Sequence, residues 1–130
     1  MPIPALGALL MALGVLCGAF GAHGLEGRIT PERMETWNTA ALYHLVNAAG
    51  LLAVGVLREC SPKHVSQGAI ALLVAGILVF SGSLYLLVLL DTSWLGAIAP
   101  LGGISLVVAW VWIALEDLFR KRTGGSTSTQ

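Results

Sequence analysis

Seven polar residues in an otherwise apolar chain are the candidates for chemistry. They are His23, Tyr43, His44, Asn47, Ser81, Ser83 and Tyr85. An imidazole can accept a proton or bind a metal, and phenol, amide and hydroxyl groups donate and accept hydrogen bonds. The chemistry open to such a set is proton transfer, or the binding of a small ligand such as a lipid headgroup or a quinone.

The same residues argue against hydrolytic catalysis and against a metal site. His64, the third histidine, belongs to a different loop, and two imidazoles without a carboxylate or thiolate do not complete a tetrahedral site. The chain contains no GxSxG or HExxH pattern. Cys17 and Cys60 fit neither a disulfide framework nor a metal motif and are expected to be unpaired thiols. We expect no enzymatic activity, no cofactor and no metal.

The elements that carry these residues follow from the composition. Of 130 residues 56% are apolar, against 7 Lys+Arg and 7 Asp+Glu. Between the charges lie four apolar stretches, each close to the roughly 20 helical residues that cross a hydrocarbon core. They are predicted as helices at about 3–22, 37–57, 67–90 and 95–115, none of which contains Asp, Glu, Lys or Arg. Strands are set aside, because an open sheet in lipid leaves backbone groups unpaired.

The predicted fold class is therefore all-α, an integral membrane four-helix bundle. Residues 1–122 are expected to form one domain and residues 123–130 a disordered polar tail, since these last residues are small and polar. The basic residues predict its orientation, because Lys and Arg are retained on the cytoplasmic side. Five of them share the side of both termini and two lie opposite, so we expect cytoplasmic termini and a multi-pass protein of the cell inner (plasma) membrane. Trp37 and Trp94 are then expected at the outer interface.

Helix starts and contacts can also be predicted. Thr30 followed by Pro31 and Glu32 is typical of a capped helix start, so helix two should begin outside the membrane. Small residues allow close approach of helices in lipid. Helix one is therefore expected to pack through Gly14, Gly18 and Gly21. Pro100 lacks an amide, so it either breaks helix four, if that helix starts near Leu95, or marks its true start.

Helical spacing places the polar residues of helices two and three at one depth. At about 1.5 Å per residue, Tyr43, His44 and Asn47 lie roughly 10–15 Å below the outer end of helix two. Ser81, Ser83 and Tyr85 fall at similar depth on helix three. We expect a polar cluster built by helices two, three and four and covered by His23. Either it is a structural network of interhelical hydrogen bonds, or it lines a cavity for a proton, lipid headgroup or quinone.

Three motifs carry a resemblance to a known family. They are GAFGAHGLEGRITPERMETWNTAALYHLVNAAGLL, then FSGSLYLLVL, then WLGAIAPLGGISLVVAW. In this order they resemble the bacterial domain-of-unknown-function 423 family, whose eukaryotic relatives are called transmembrane protein 256. The resemblance implies a small four-helix inner-membrane protein and supplies no catalytic residues. The family usually has His where this chain has Asn47, and Thr where it has Ala99, which favours a structural network here.

We therefore expect a non-enzymatic membrane protein with a structural or accessory role. Its expected partners are the lipid bilayer and either a second copy or another membrane protein, bound through the glycine face of helix one. No nucleic-acid partner is expected. The alternative is binding or conduction of a small ligand in the polar cavity between helices two, three and four.

Overall fold

The computed structural model describes residues 1–61 and 65–124, the last four by their backbone alone. Within these residues the chain forms four α-helices: α1 (Ile3–Phe20), α2 (Pro31–Cys60), α3 (Gln67–Leu89) and α4 (Ala99–Gly124). A π-helical segment, Gly21–Leu25, continues α1, and a 3-10 segment, Ser93–Ala97, precedes α4. All four helices are long and apolar enough to cross a membrane. The predicted four-span, all-helical fold is confirmed.

The start of α2 follows its predicted cap. The Thr30 hydroxyl accepts a hydrogen bond from the Arg33 amide at 3.3 Å, and Pro31 is the first helical residue. The helix therefore begins one and a half turns before the predicted span. Ser66 caps α3 in the same way, by accepting from the Ala69 amide at 3.2 Å.

The start of α4 differs from the predicted span. Residues 93–97 form a 3-10 segment rather than the first turn of an α-helix. Pro100 is the second residue of α4, where its missing amide has no intrahelical partner to lose. Pro100 therefore marks a helix start and does not break a helix. The backbone of α4 continues to Gly124, and residues 125–130 of the predicted tail lie outside the described part of the chain, as do Lys63 and His64.

The helices pack in chain order. Backbone contacts join α1 to α2, α2 to α3 and α3 to α4, whereas in the described residues α1 and α4 do not meet. Leu51, Leu73 and Ile77 are almost fully buried in the main core. A second apolar cluster surrounds Trp37 and Leu87 near the end of the bundle away from the chain termini.

Close contact between α1 and α2 depends on three glycines seven residues apart. A methyl group on Gly7 would lie 2.6 Å from the Leu52 backbone nitrogen, and one on Gly14 would lie 2.8 Å from a Leu45 methyl. Gly21 lies directly against the Trp37 indole. Gly18, by contrast, faces nothing within 4 Å. Of the three glycines expected at helix contacts, Gly14 and Gly21 therefore face α2, and Gly18 faces open space.

Polar contacts join neighbouring helices at each end of the bundle. At the end away from the chain termini, Arg33 Nη2 lies 2.6 Å from Asp91 Oδ1 and joins the start of α2 to the turn after α3. At the opposite end, the Glu116 carboxylate on α4 accepts from the Ser66 amide at 2.9 Å and from the Trp112 indole at 2.8 Å. These contacts fix the ends of α3 against α2 and α4.

Candidate functional site

His44 and Tyr85 form the centre of the polar residues at membrane depth. His44 Nδ1 lies 3.3 Å from the Tyr85 hydroxyl, so α2 and α3 share a hydrogen bond there. His44 is 7% exposed. Its Nε2 atom has no hydrogen-bond partner among the described residues, and the ring packs against α1, where a methyl on Gly14 would lie 3.5 Å from Cγ. The histidine is therefore held between three helices.

Trp37 is the residue through which α1 joins this group. Its indole Nε1 donates to the Cys17 carbonyl at 2.8 Å, and its ring lies 4.6 Å from the Tyr85 ring. Trp37 is only 2% exposed, whereas Trp94 is 66% exposed. Trp37 therefore points into the bundle, where the missing side chain of Gly21 leaves room for the indole.

Asn47 joins α2 to α4. Its amide oxygen accepts from the Trp110 indole at 2.8 Å, and its amide nitrogen donates to the Tyr43 carbonyl at 2.8 Å. Both ends of the amide are thus used. Gly50 lies under the six-membered ring of Trp110, where any side chain would collide with the indole. The pair lies one turn further along α2 than His44.

The remaining predicted residues do not join these contacts through their side chains. Ser83 Oγ donates to the Phe80 carbonyl of its own helix at 3.0 Å. Ser81 is 2% exposed, and its hydroxyl has no partner in the described part of the chain. Tyr43 is 47% exposed, and its ring packs on Phe80. His23 is exposed on the π-helical segment and does not cover His44.

We call six residues the polar layer. They are Cys17, Trp37, His44, Asn47, Tyr85 and Trp110. Sequence reasoning found three of them and missed Cys17, Trp37 and Trp110. One signal for Trp37 was available, since it lies seven residues before His44 and so on the same face of α2. Cys17 contributes a backbone carbonyl, for which no residue type is diagnostic.

The chemistry of the polar layer is hydrogen bonding between helices. Its indoles are donors only, and each has an acceptor on another helix. Cys17 and Cys60 are both free thiols, as predicted. In the described ranges, 1–61 and 65–124, no group of three His, Cys, Asp or Glu residues is arranged to hold a metal.

Comparison with known proteins assigns the chain to a family. The sequence profile described as "Protein of unknown function (DUF423)" matches residues 17–103, two thirds of the chain. The chain belongs to this family. It is 43% identical over 114 residues to the UPF0382 membrane protein YwdK of Bacillus subtilis (strain 168), covering 85% of this chain and 90% of the relative.

Further relatives give the same picture. UPF0382 membrane protein SERP0230 of Staphylococcus epidermidis is 40% identical over 113 residues, covering 87% of this chain and 92% of the relative. UPF0382 membrane protein SAB0533 of Staphylococcus aureus is 39% identical over 110 residues, covering 85% and 89%. No solved structure matches the chain. With four candidate spans and relatives named membrane proteins, this member of the DUF423 family is a multi-pass membrane protein whose family has no assigned activity.

Proposed function

We propose that the protein is a non-enzymatic, structural or accessory component of the cell inner (plasma) membrane that acts as a self-associated assembly. One observation carries the proposal. Three hydrogen bonds between polar groups at membrane depth join different helices: Trp37 with the Cys17 carbonyl, His44 with Tyr85, and Trp110 with Asn47. Such bonds contribute on the order of 0.6 kcal/mol each in membrane proteins and fix helix positions.

The outer face of α1 supports self-association. Ala5, Ala8, Ala12 and Ala19 are exposed. At 100° per residue they share one side of α1, opposite Gly7, Gly14 and Gly21. Small residues on a lipid-facing surface allow a second helix to approach closely, whereas large ones are the usual lipid contacts. A second copy of the chain is the partner we propose for this face, in place of the glycine face, which already packs on α2.

The oligomeric state of gently extracted protein tests this proposal. Native mass spectrometry should show a dimer or a higher oligomer, and Ala12→Leu should reduce its fraction severalfold by filling the middle of the alanine face. Ala114→Leu is the matched control, because Ala114 is also exposed but lies on α4. A wild-type protein that is monomeric, or one bound only to a different membrane protein, would reject self-association.

We further propose that both termini are cytoplasmic. Arg58 and Arg120 lie at the same end of the bundle as the termini, and Lys63, Lys121 and Arg122 add to that side in the sequence, against Arg28 and Arg33 opposite. The positive-inside rule then gives the orientation. A reporter that is fluorescent only in the cytoplasm, fused after Gln130 and expressed in a bacterial host, should be bright. A dark fusion at normal expression would reverse the orientation.

A second candidate function rests on one atom. His44 Nε2 is buried without a hydrogen-bond partner in the described residues, which leaves it open to a proton or a small ligand. If His44 binds a quinone or a lipid headgroup, a stoichiometric small molecule should copurify, and His44→Ala should abolish its retention. Equal retention by wild type and variant would exclude this role for His44.

A further inference from the structure

Two neighbouring clefts lie at the end of the bundle that carries the chain termini. The first has a volume of about 370 Å³ and lies between the start of α1, the end of α2 and the start of α3. The second is an apolar groove of about 420 Å³ between α1 and α3. Ile3 and Gln67 line both, so the two clefts adjoin.

The groove has the dimensions and the lining of an acyl-chain site. It follows α3 from Gln67 to Leu78, about 16 Å along the helix and therefore about half of a hydrocarbon core. Leu6, Ile70 and Val74 supply its apolar walls, and the small side chains of Ala71 and Ala75 leave the space open. An α-helix is about 10–12 Å across with its side chains, so a groove of about 420 Å³ that extends about 16 Å is too small to hold one.

The first cleft presents charges at the membrane surface. Arg58 and Glu59, in the last turn of α2, both line it. Arg58 Nη1 is buried and has no hydrogen-bond partner in the described residues. Glu116 is close enough to act on Arg58 electrostatically, but its two carboxylate oxygens already accept from Ser66 and Trp112. Arg58 thus lines the cleft and has one guanidinium nitrogen without an acceptor in the described residues.

We propose that this space binds one phosphatidylethanolamine molecule of the bilayer, with its phosphate on Arg58, its ammonium group beside Glu59 and one acyl chain in the α1–α3 groove. Guanidinium groups bind phosphate through paired charge-assisted hydrogen bonds. Basic pockets between membrane helices commonly hold lipid headgroups. The adjacent carboxylate favours a headgroup that carries a positive charge over an anionic one.

Native mass spectrometry in nanodiscs with equal amounts of dioleoyl phosphatidylethanolamine and dioleoyl phosphatidylglycerol tests the proposal. Wild type should retain one phosphatidylethanolamine per chain in excess over phosphatidylglycerol. Arg58→Gln should lower that retention about tenfold, the loss expected for a charge-assisted hydrogen bond. Glu59→Gln should remove the preference between the two lipids while lipid is still bound.

Variants in the groove provide an independent arm if Arg58→Gln does not fold. Ala75→Leu should displace the acyl chain and lower retention with Arg58 intact. Arg28→Gln, on the opposite membrane face, and Ala114→Leu, on the lipid-facing side of α4, are the matched controls and should retain lipid as wild type does. Equal retention of the two lipids by wild type, or unchanged retention in both Arg58→Gln and Ala75→Leu, would overturn the proposal.

Discussion

Asn47 shows how one side chain can serve two helices. Its amide oxygen accepts a hydrogen bond from the Trp110 indole, and its amide nitrogen donates one to the Tyr43 carbonyl of its own helix. The side chain is therefore fixed at both ends, and it is 6% exposed. The Trp110 indole is partly buried, and loss of its acceptor within the membrane costs about 1–3 kcal/mol, because no water replaces the bond.

Asn47→Leu should consequently lower the free energy of unfolding by about 1–2 kcal/mol, through the unpaired Trp110 donor. Denaturation in mixed detergent micelles, followed by tryptophan fluorescence or circular dichroism, measures the change. A double-mutant cycle with Trp110→Phe isolates the pair and should give a coupling energy of about 1 kcal/mol. A coupling energy near zero would mean that the hydrogen bond adds nothing to stability.

Depth along a helix can be predicted from sequence, whereas direction around it is harder to predict. His44 and Tyr85 were expected at matching depths, and they do meet at 3.3 Å. Tyr43, at the same depth, turns toward lipid, because one residue along a helix is a rotation of 100°. Trp37 was missed because an indole near a helix end is usually an interfacial residue, and nothing in its own side chain reveals the space left by Gly21.

At the level of elements, α1 packs closely on α2 because its contact positions are glycines, which have no side chain to keep the helices apart. Gly7 touches the Leu52 backbone, which cannot move aside as a side chain can. Gly18 is on the same helix but faces open space. The sequence pattern suggested a GxxxG pair, and the contact uses a seven-residue period instead, which matches helices crossing at a small angle.

Gly7→Ala and Gly18→Ala should therefore have different effects on the free energy of unfolding. The first should destabilise the protein by about 1–3 kcal/mol through overpacking. The second should be neutral or stabilising by up to about 1 kcal/mol, because alanine is the better helix former and meets no neighbour. Thermal unfolding of both variants in one detergent makes the comparison. Equal losses of stability would contradict the packing described for α1.

Pro100 gives a second prediction for an element. In a helix interior, proline costs about 3 kcal/mol, but in the first turn of α4 it loses no hydrogen bond. Pro100→Ala should change the free energy of unfolding by less than about 1 kcal/mol. A stabilisation near 3 kcal/mol in the same unfolding assay would show that the helix extends through residue 100 toward Leu95.

For the whole molecule, polar contacts at the membrane surfaces determine which helices pair, a choice that apolar packing alone does not make in lipid. Glu116 reaches from α4 to the amide of Ser66 at the start of α3, and Arg33 reaches from α2 to Asp91 beyond the end of α3. Apolar side chains gain little by leaving lipid for protein, so directional contacts carry more of the specificity. The sequence does not predict which of these distant residues pair. Every charged residue lies outside the predicted spans, so all of them are expected to be solvated to the same degree.

Glu116→Ala should loosen the end of the bundle that carries the termini. We expect a loss of about 1 kcal/mol in unfolding free energy, below the usual value for hydrogen bonds to a charged group because the carboxylate is partly solvated. Hydrogen exchange should also become faster at the Ser66 amide. Glu35→Ala, an exposed carboxylate on α2, is the matched control and should leave both quantities unchanged.

The contacts of Gly7, Gly14 and Gly21 also fix the position of α1 along the axis of α2. If α1 slid along α2 by one helical turn, Leu10 or Met11 would arrive where Gly7 now touches the Leu52 backbone, and the clash would forbid the new position. A slide of one helical turn is therefore excluded. Since α2 is anchored by its charged ends, it is α2 that determines how deeply α1 enters the bilayer, although α1 emerges from the ribosome first.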